Sequence, residues 1–507
     1  MNFMESVKNT LVEGEHNVSV TENGAIGYRT SGKALLDLNF AVSTLRYRDD
    51  WELETMFANA CAEDLDLAVV WLVFARDCRG GLGERRLFRV CMRYLAREVP
   101  EKAVKIVPLI AEYGRWDDVL DLFFETTNQT VKKAAFDVFS TQLNNDLKAL
   151  RDGKPVSLLA KWAPSANTSS HITRREARQL AQMLGVTERK YRQNLSALRR
   201  RIDVVESKMS ARRWGEINYE GVPSKANLLY RDAFMKHDGE RRKAFLDSLK
   251  KDPTKIKASV LFPHEIVHEY DAEDRRTNVD DTLEALWKNL PNVFGDSHPN
   301  ILVVADGSGS MTWSGDGVMP LDIANALAIY FADKLSPAYR DKYITFSDNP
   351  QYVDLSGATT LLGKLRIALE HDECASTNIE AVFHLILQTA HEHLLTQDEL
   401  PDTILILSDG EFNAMTSGRV DVALFDSIRD EFALCGYQLP KLAFWNISSR
   451  TMTVPIRQNE LGVALISGYS PSVMKIVMSG ELDPYKALLS VLAGDRYRPV
   501  RDALKGV

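Results

Sequence analysis

Asp306, Ser308 and Ser310 stand in one short run, Asp306-Gly307-Ser308-Gly309-Ser310, and a second acid follows in Ser408-Asp409-Gly410. A carboxylate and two hydroxyls on one tight loop, with Gly307 and Gly309 permitting the turn, make a hard oxygen shell of low total charge. Such a shell suits Mg²⁺, which takes an octahedron of oxygens and keeps several waters. Another divalent cation such as Mn²⁺ or Ca²⁺ fits the same donor types. Asp409 is expected to hold a water or a hydroxyl behind the first ring of ligands. A shell this neutral leaves the ion electrophilic, so a carboxylate from a partner can fill an open position. The competing reading is a Gly/Ser turn whose hydroxyls only cap the next helix. Glu411, next to Asp409-Gly410, either approaches the metal, faces a partner, or is a solvated loop acid.

A second run, His264-Glu265-Ile266-Val267-His268, fits the HExxH pattern of zinc hydrolases. Two histidines four apart share a helix face and could grip Zn²⁺, with Glu265 as base. Glu269, Glu273 and Glu284 are candidates for a third ligand, but none sits in a second motif. A zinc hydrolase is therefore the weakest of three functional readings, and no residue is assigned as catalytic. His391 and His393 read as a polar helix end, since an HxH on a helix points its rings apart. The pattern GxxxxGK[ST] is absent, and the run after the first strand lacks a dinucleotide-binding third glycine.

The third chemistry is electrostatic. Residues 171–260 hold 22 Lys/Arg against 11 Asp/Glu, a charge of +11 inside a chain of net −8, so the remainder carries −19. A basic block inside an acidic protein is a candidate polyanion surface. Within it, Arg189, Lys190, Arg192, Arg199, Arg200, Arg201, Arg212 and Arg213 have no matching acidic run and are the expected contacts for nucleic-acid phosphates. A solvated cationic helix face is the bland alternative. Upstream, Arg76, Arg79, Arg85, Arg86 and Arg89 surround a Gly-rich turn that could hold phosphate. The favoured reading there is structural, with Asp77 and Glu84 pairing these arginines. Trp116 and Trp162 read as core anchors.

The elements that must position these groups follow from periodicity. Residues 1–34 are a polar N-terminal arm, with a possible hairpin around Asn23-Gly24. Over 35–290 apolar residues recur at helical spacing, notably in 53–78, 82–99, 103–124 and 131–150. The basic stretch holds helices over 173–184, with Thr173 as N-cap, over 188–207 and over 225–249. Pro291, Gly295 and Pro299 mark a linker. Beyond it, short buried runs (301–305, 343–346, 352–355, 403–407, 441–446, 463–467) alternate with helical stretches (320–335, 361–371, 378–395, 424–436, 471–478). That alternation implies a doubly wound α/β domain over 299–507. Both acidic motifs fall just after buried strands, where ligand sites of open α/β sheets lie.

The 507 residues are 45% hydrophobic and 26% charged, an ordinary globular composition that excludes disordered and collagen-like chains. No apolar run reaches membrane-spanning length, and no signal segment opens the chain, so a cytoplasmic protein with no membrane partner is expected. The five cysteines form no CxxC pair and read as reduced, mostly buried thiols.

The run after the first strand, with Thr377 between the two acidic motifs, resembles the von Willebrand factor A domain and its metal-ion-dependent adhesion site. That resemblance implies Asp306, Ser308, Ser310, Thr377 and Asp409 as metal ligands or their supports. The stretches 75–86, 113–118, 158–165 and 261–265 resemble domain-of-unknown-function family 2828. More distantly the layout is similar to the Ro autoantigen (TROVE) proteins, which join a helical-repeat ring to an A domain and bind RNA. The expected fold is an all-α helical-repeat-like array followed by a doubly wound domain. The expected function is a non-enzymatic, Ro-like RNA-binding scaffold with a Mg²⁺ site. The alternative is a metal-dependent module that captures an acidic protein ligand.

Overall fold

A computed structural model describes residues 17–271, 278–312, 318–346, 349–371, 378–413, 424–455, 463–478 and 483–505. The chain forms two compact units, one of Met1–Leu65 with Ala258–Gly494, the other of Asp66–Lys257 with Asp495–Val507. Side-chain contacts explain why the first helices join the sheet. Ser43 Oγ donates to the Asn446 carbonyl at 3.0 Å, and Asn446 Nδ2 donates to the Phe40 carbonyl at 2.8 Å. Leu35, Leu36 and Leu38 of the helix Ala34–Phe40 are buried.

In the first unit, β1 (Val18–Val20) and β2 (Ile26–Tyr28) pair antiparallel around Asn23-Gly24, the expected hairpin. Gly24 has φ +95°, a left-handed position that an Asn-Gly turn supplies at little cost. The main sheet has six strands: β3 (Ile301–Asp306), β4 (Lys342–Phe346), β5 (Gln351–Asp354), β6 (Thr403–Ser408), β7 (Lys441–Asn446) and β8 (Val463–Ser467). Their order is β5-β4-β3-β6-β7-β8. Every pairing is parallel except the β4–β5 edge. All six residues of β6 are buried, as expected of a parallel strand covered on both faces. The chain leaves β3 toward β4 on one side and later returns through β6 on the other. That reversal is the switch point of a doubly wound sheet. It puts Asp306 and Asp409 at the same ends of adjacent strands.

The second unit is helical. Its principal helices are Arg85–Glu98, Trp116–Glu125, Gln129–Arg151, His171–Met183, Glu188–Ile202 and Arg231–Ser248. The continuous apolar run 53–78 is two helices, Asp50–Glu63, which belongs to the first unit, and Leu65–Arg76, broken at Asp64, whose backbone is extended. Ser170, not Thr173, caps the helix His171–Met183, accepting from the Thr173 amide at 3.3 Å. The expected helix 188–207 stops at Ile202 because Asp203 turns left-handed, with φ +56°. Close packing dictates two glycines here. A Cβ on Gly81 would lie 2.0 Å from the Phe74 carbonyl oxygen, and one on Gly114 2.6 Å from Asp118 Oδ2.

Candidate functional site

β3 ends in Asp306, and the next residues fold back so that the Ser308 amide donates to Asp306 Oδ1 at 2.9 Å. Ser408, the last residue of β6, donates its hydroxyl to Asp306 Oδ2 at 2.5 Å. The Ser308 and Ser310 hydroxyls lie 2.9 Å apart, and Ser310 also bonds the Asp409 carboxylate. Asp409 Oδ1 accepts from the Glu411 amide at 3.1 Å. Gly410 takes the left-handed conformation, φ +76°, that turns the chain between them. Four of the five expected metal-site residues therefore lie together. Thr377, the fifth, falls outside the described residues.

The electrostatics favour a cation. Asp306, Ser308 and Asp409 are each at most 2% exposed. Burial raises the Asp306 carboxyl well above its ordinary range, and the neighbouring Asp409 charge raises it further. Burial likewise raises Asp409. Two acids in one dry, hydroxyl-lined place repel one another when both are ionised. A divalent ion would relieve that repulsion, and two carboxylates with hydroxyls are the oxygen donors Mg²⁺ accepts. The residues present fit such an ion.

Two further residues at this edge were not legible as site residues. Ser408 bonds Asp306 directly, and its only signal was its place between a buried strand and Asp409. Arg450 lies far away in sequence. Its Nη2 is 3.5 Å from Asp409 Oδ2, and its Nε is 2.7 Å from the exposed Glu22 carboxylate. Glu411 fits none of its three sequence readings. It is fully buried and accepts from the amides of Glu22, Arg450 and Thr451 at 2.8, 2.8 and 2.9 Å, and from the Ser449 hydroxyl at 3.0 Å. It is the hub that ties the β1–β2 hairpin to the loop after β7. Thr21 and Asn23 complete the tie, donating to the carbonyls of Phe412 and Glu411 at 2.6 and 2.7 Å.

The HExxH residues divide their work. Glu265 accepts from the Phe262 amide at 3.0 Å, closing the start of its own helix. The buried His264 ring packs edge-on against Tyr469, centroids 5.0 Å apart. His268 Nδ1 is 3.8 Å from Asp322 Oδ2. Glu284 is held elsewhere, bonding Tyr270 Oη at 2.9 Å and the amides of Leu361 and Leu362 at 2.8 and 3.2 Å. Among the described residues the pair gathers no third ligand at metal-binding distance. His391 and His393 lie at an exposed helix end, as expected.

In the Gly-rich turn the Arg79 amide donates to Asp77 Oδ1 at 3.0 Å, while Arg76 and Arg89 pair with acids of the helix Trp116–Glu125. Arg76 pairs with Asp118 at 2.7 Å, both nearly inaccessible, and Arg89 reaches Asp117, Asp118 and Asp121 at 3.0, 3.0 and 3.1 Å. Asp77 pairs with Arg496 and accepts from Tyr497 Oη at 3.0 Å. Trp116 and Trp162 are half-buried, and Arg115 lies over the Trp162 ring at 5.0 Å.

The basic block splits into two kinds of cation. In Glu188–Ile202, Tyr191, Leu195 and Leu198 are buried. Arg189, Arg192 and Arg200 project from the opposite face, which helical periodicity makes continuous. These three, with Lys190 and Arg212, are exposed. Among the described residues the side chains of Arg189, Lys190, Arg192 and Arg212 have no acidic or hydrogen-bonding partner. Arg200 Nε reaches only the Ser196 carbonyl, at 3.3 Å. Arg199, Arg201 and Arg213 are committed locally. Arg199 donates to the carbonyls of Ala160 and Ala163 at 2.8 and 2.7 Å and to Ser165 Oγ at 2.8 Å. Arg201 Nη2 donates to the Gly153 carbonyl at 2.6 Å, and Arg213 pairs with Glu216 at 2.9 Å.

Of the cysteines, Cys91 is buried, Cys61 and Cys78 are half-buried and Cys435 is exposed, contrary to its apolar flanks. Cys374 lies outside the described residues. Burial pushes the Cys61 thiol up to about 12, so it stays protonated. Among the described residues no helix is long and apolar enough to cross a membrane.

Comparison with known proteins adds four likenesses. Residues 130–293 match domain-of-unknown-function family DUF2828, which the sequence resemblance had named. Of the four stretches that carried that resemblance, only 158–165 and 261–265 lie inside the match. Residues 300–491 match a different family, domain of unknown function DUF7788. The chain is 29% identical, over 521 aligned positions, to the uncharacterized protein L728 of Acanthamoeba polyphaga mimivirus, spanning 96% of this chain and 89% of that one. It is also similar to the crystal structure of the RO (RSR) protein of Deinococcus radiodurans, with TM-score 0.47 and 15% identity, over 90% of this chain and 94% of that one.

Proposed function

We propose that this chain, matched to two domain families of unknown function, is a non-enzymatic scaffold. Its helical unit binds RNA through phosphates, and its sheet unit holds Mg²⁺. One observation carries the RNA half: five exposed cations, Arg189, Lys190, Arg192, Arg200 and Arg212, with no acid among the described residues to neutralise them. Cations left unpaired on a surface are the groups that release counterions when they meet a polyanion. Arg199, Arg201 and Arg213 leave the phosphate set for structural duty. The proposed setting is cytoplasmic, in keeping with cysteines that form no disulfide among the described residues. The test is RNA binding across a salt series, where affinity must fall steeply and charge reversal of Arg189, Lys190 and Arg192 must flatten the fall.

In the sheet unit Asp306, Ser308 and Ser310 would hold the ion, with Asp409 and Ser408 behind them. Bound there, the ion supplies an electrophilic centre and neutralises the two acids. A second reading, capture of a partner's carboxylate at this edge, draws on the same buried donors. It predicts that Asp306→Ala abolishes partner capture and leaves RNA binding intact.

A further inference from the structure

Glu380 and His384 are four residues apart on the helix Ile379–Glu392, so they share one face. The helix Leu424–Leu434 packs alongside, with Phe383 edge-on to Phe425 and Phe432 at centroid distances of 6.0 and 6.2 Å. That packing delivers Glu431, whose Oε2 is 2.9 Å from His384 Nε2. One donor atom from each of Glu380, His384 and Glu431 lies within 4.8 Å of the other two.

We infer that Glu380, His384 and Glu431 form a second metal site, for a borderline transition ion such as Zn²⁺. Three observations converge on it. The donors are one imidazole nitrogen and two carboxylates, a set that suits zinc and its neighbours and that Mg²⁺ does not favour. Glu380 is only 4% exposed, so one carboxylate of the set is fixed inside the fold and its oxygen is held in place for an ion. The donors also project from two helices braced by aromatic contacts, and His384 is 44% exposed, which leaves a route for the ion. Three protein ligands leave a fourth position for water. The cluster shares no residue with the Asp306 site and does not rest on the RNA reading.

The test uses the full chain, stripped of metal by a chelator and titrated with Zn²⁺ against a chromophoric competitor, then with Co²⁺ to read ligand-field bands. The wild type should take up about one tight equivalent that excess Mg²⁺ does not displace. His384→Ala should lose that equivalent and its Co²⁺ spectrum. Glu431→Gln, an isosteric change at a half-buried residue, should do the same while keeping the wild-type circular dichroism. Asp306→Asn should retain it. The proposal is overturned if the wild type takes up no Zn²⁺ at micromolar concentrations. It is equally overturned if folded His384→Ala or Glu431→Gln keeps the full equivalent, or if His268→Ala loses it instead.

Discussion

Magnesium should stabilise the wild-type chain and should do nothing for Asp306→Asn. Asp306 and Asp409 are 1% and 2% exposed, and both carboxyls are raised by burial, Asp306 also by Asp409's charge. Without a metal ion, folding confines two acids that repel, offset in part by Arg450, 3.5 Å from Asp409. A ligand that binds only the folded state adds RT ln(1 + [L]/Kd), about 2.7 kcal/mol at a hundredfold excess over Kd. For a unit of this size each kcal/mol moves the midpoint by roughly 2–4 °C, so saturation should raise it by about 5–10 °C. Asn keeps the shape of Asp306 and can still accept from the Ser308 amide, but it removes a charge. In chelator the variant should therefore unfold at or above the wild-type midpoint. Adding Mg²⁺ should lift the wild type past it. The assay is thermal unfolding by circular dichroism with chelator or with 0.1–10 mM Mg²⁺, a range of roughly the millimolar scale of weak oxygen sites. A wild-type midpoint that ignores Mg²⁺, or an equal rise in Asp306→Asn, would refute the argument.

Four other outcomes follow from how individual polar side chains are held. Glu411→Gln presents an amide to donors that now meet a carboxylate, and should cost about 3 kcal/mol by urea denaturation, with the hairpin 17–30 opened to protease. Arg199→Ala should cost about 2 kcal/mol, because three carbonyl or hydroxyl partners lose a charged donor. Charge reversal at Arg189 and Arg192, exposed and without an acidic or hydrogen-bonding partner among the described residues, should stay within about 0.5 kcal/mol in the same denaturation series. Burial lowers the Lys334 ammonium from 10.5 to about 8, against the pull of Asp333. The unfolded chain then holds more protons between those values, so wild-type stability should rise from pH 8 toward pH 10. Lys334→Met should stabilise by up to about 3 kcal/mol below pH 8, less its contact with the Tyr330 ring, and the gain should fade by pH 10. Unfolding midpoints of both proteins across that pH range check it.

The sheet was legible because parallel strands buried on both faces read as unbroken apolar runs. The stretch 403–407 lies within the observed Thr403–Ser408, and 441–446 and 463–467 match their strands residue for residue. The Asn23-Gly24 hairpin was legible because its turn chemistry is local. Asp306 and Asp409 could be brought together because the switch point of a doubly wound sheet is a rule of topology. What escaped the sequence depended on long-range contact. Glu411 looks like a loop acid until residues some 390 positions earlier supply its donors. Arg189 and Arg199 lie on one helix with the same charge, and only the short helix Leu159–Trp162 and its flanks separate a free cation from a clamp. The HExxH stretch matched in spacing, yet His264 and His268 face different partners.

The most direct measurement is the salt dependence of binding to a mixed-sequence single-stranded RNA, by fluorescence anisotropy, for the wild type, for Arg189→Glu/Lys190→Glu/Arg192→Glu, and for Asp306→Asn. Five engaged cations give a slope of log K against log salt near −3.5, so affinity should fall about 100-fold between 50 and 200 mM salt. The triple variant should bind far more weakly with a slope shallower by about 2, while Asp306→Asn should overlay the wild type. Wild-type affinity that is flat with salt, or a triple variant indistinguishable from wild type, would contradict the account.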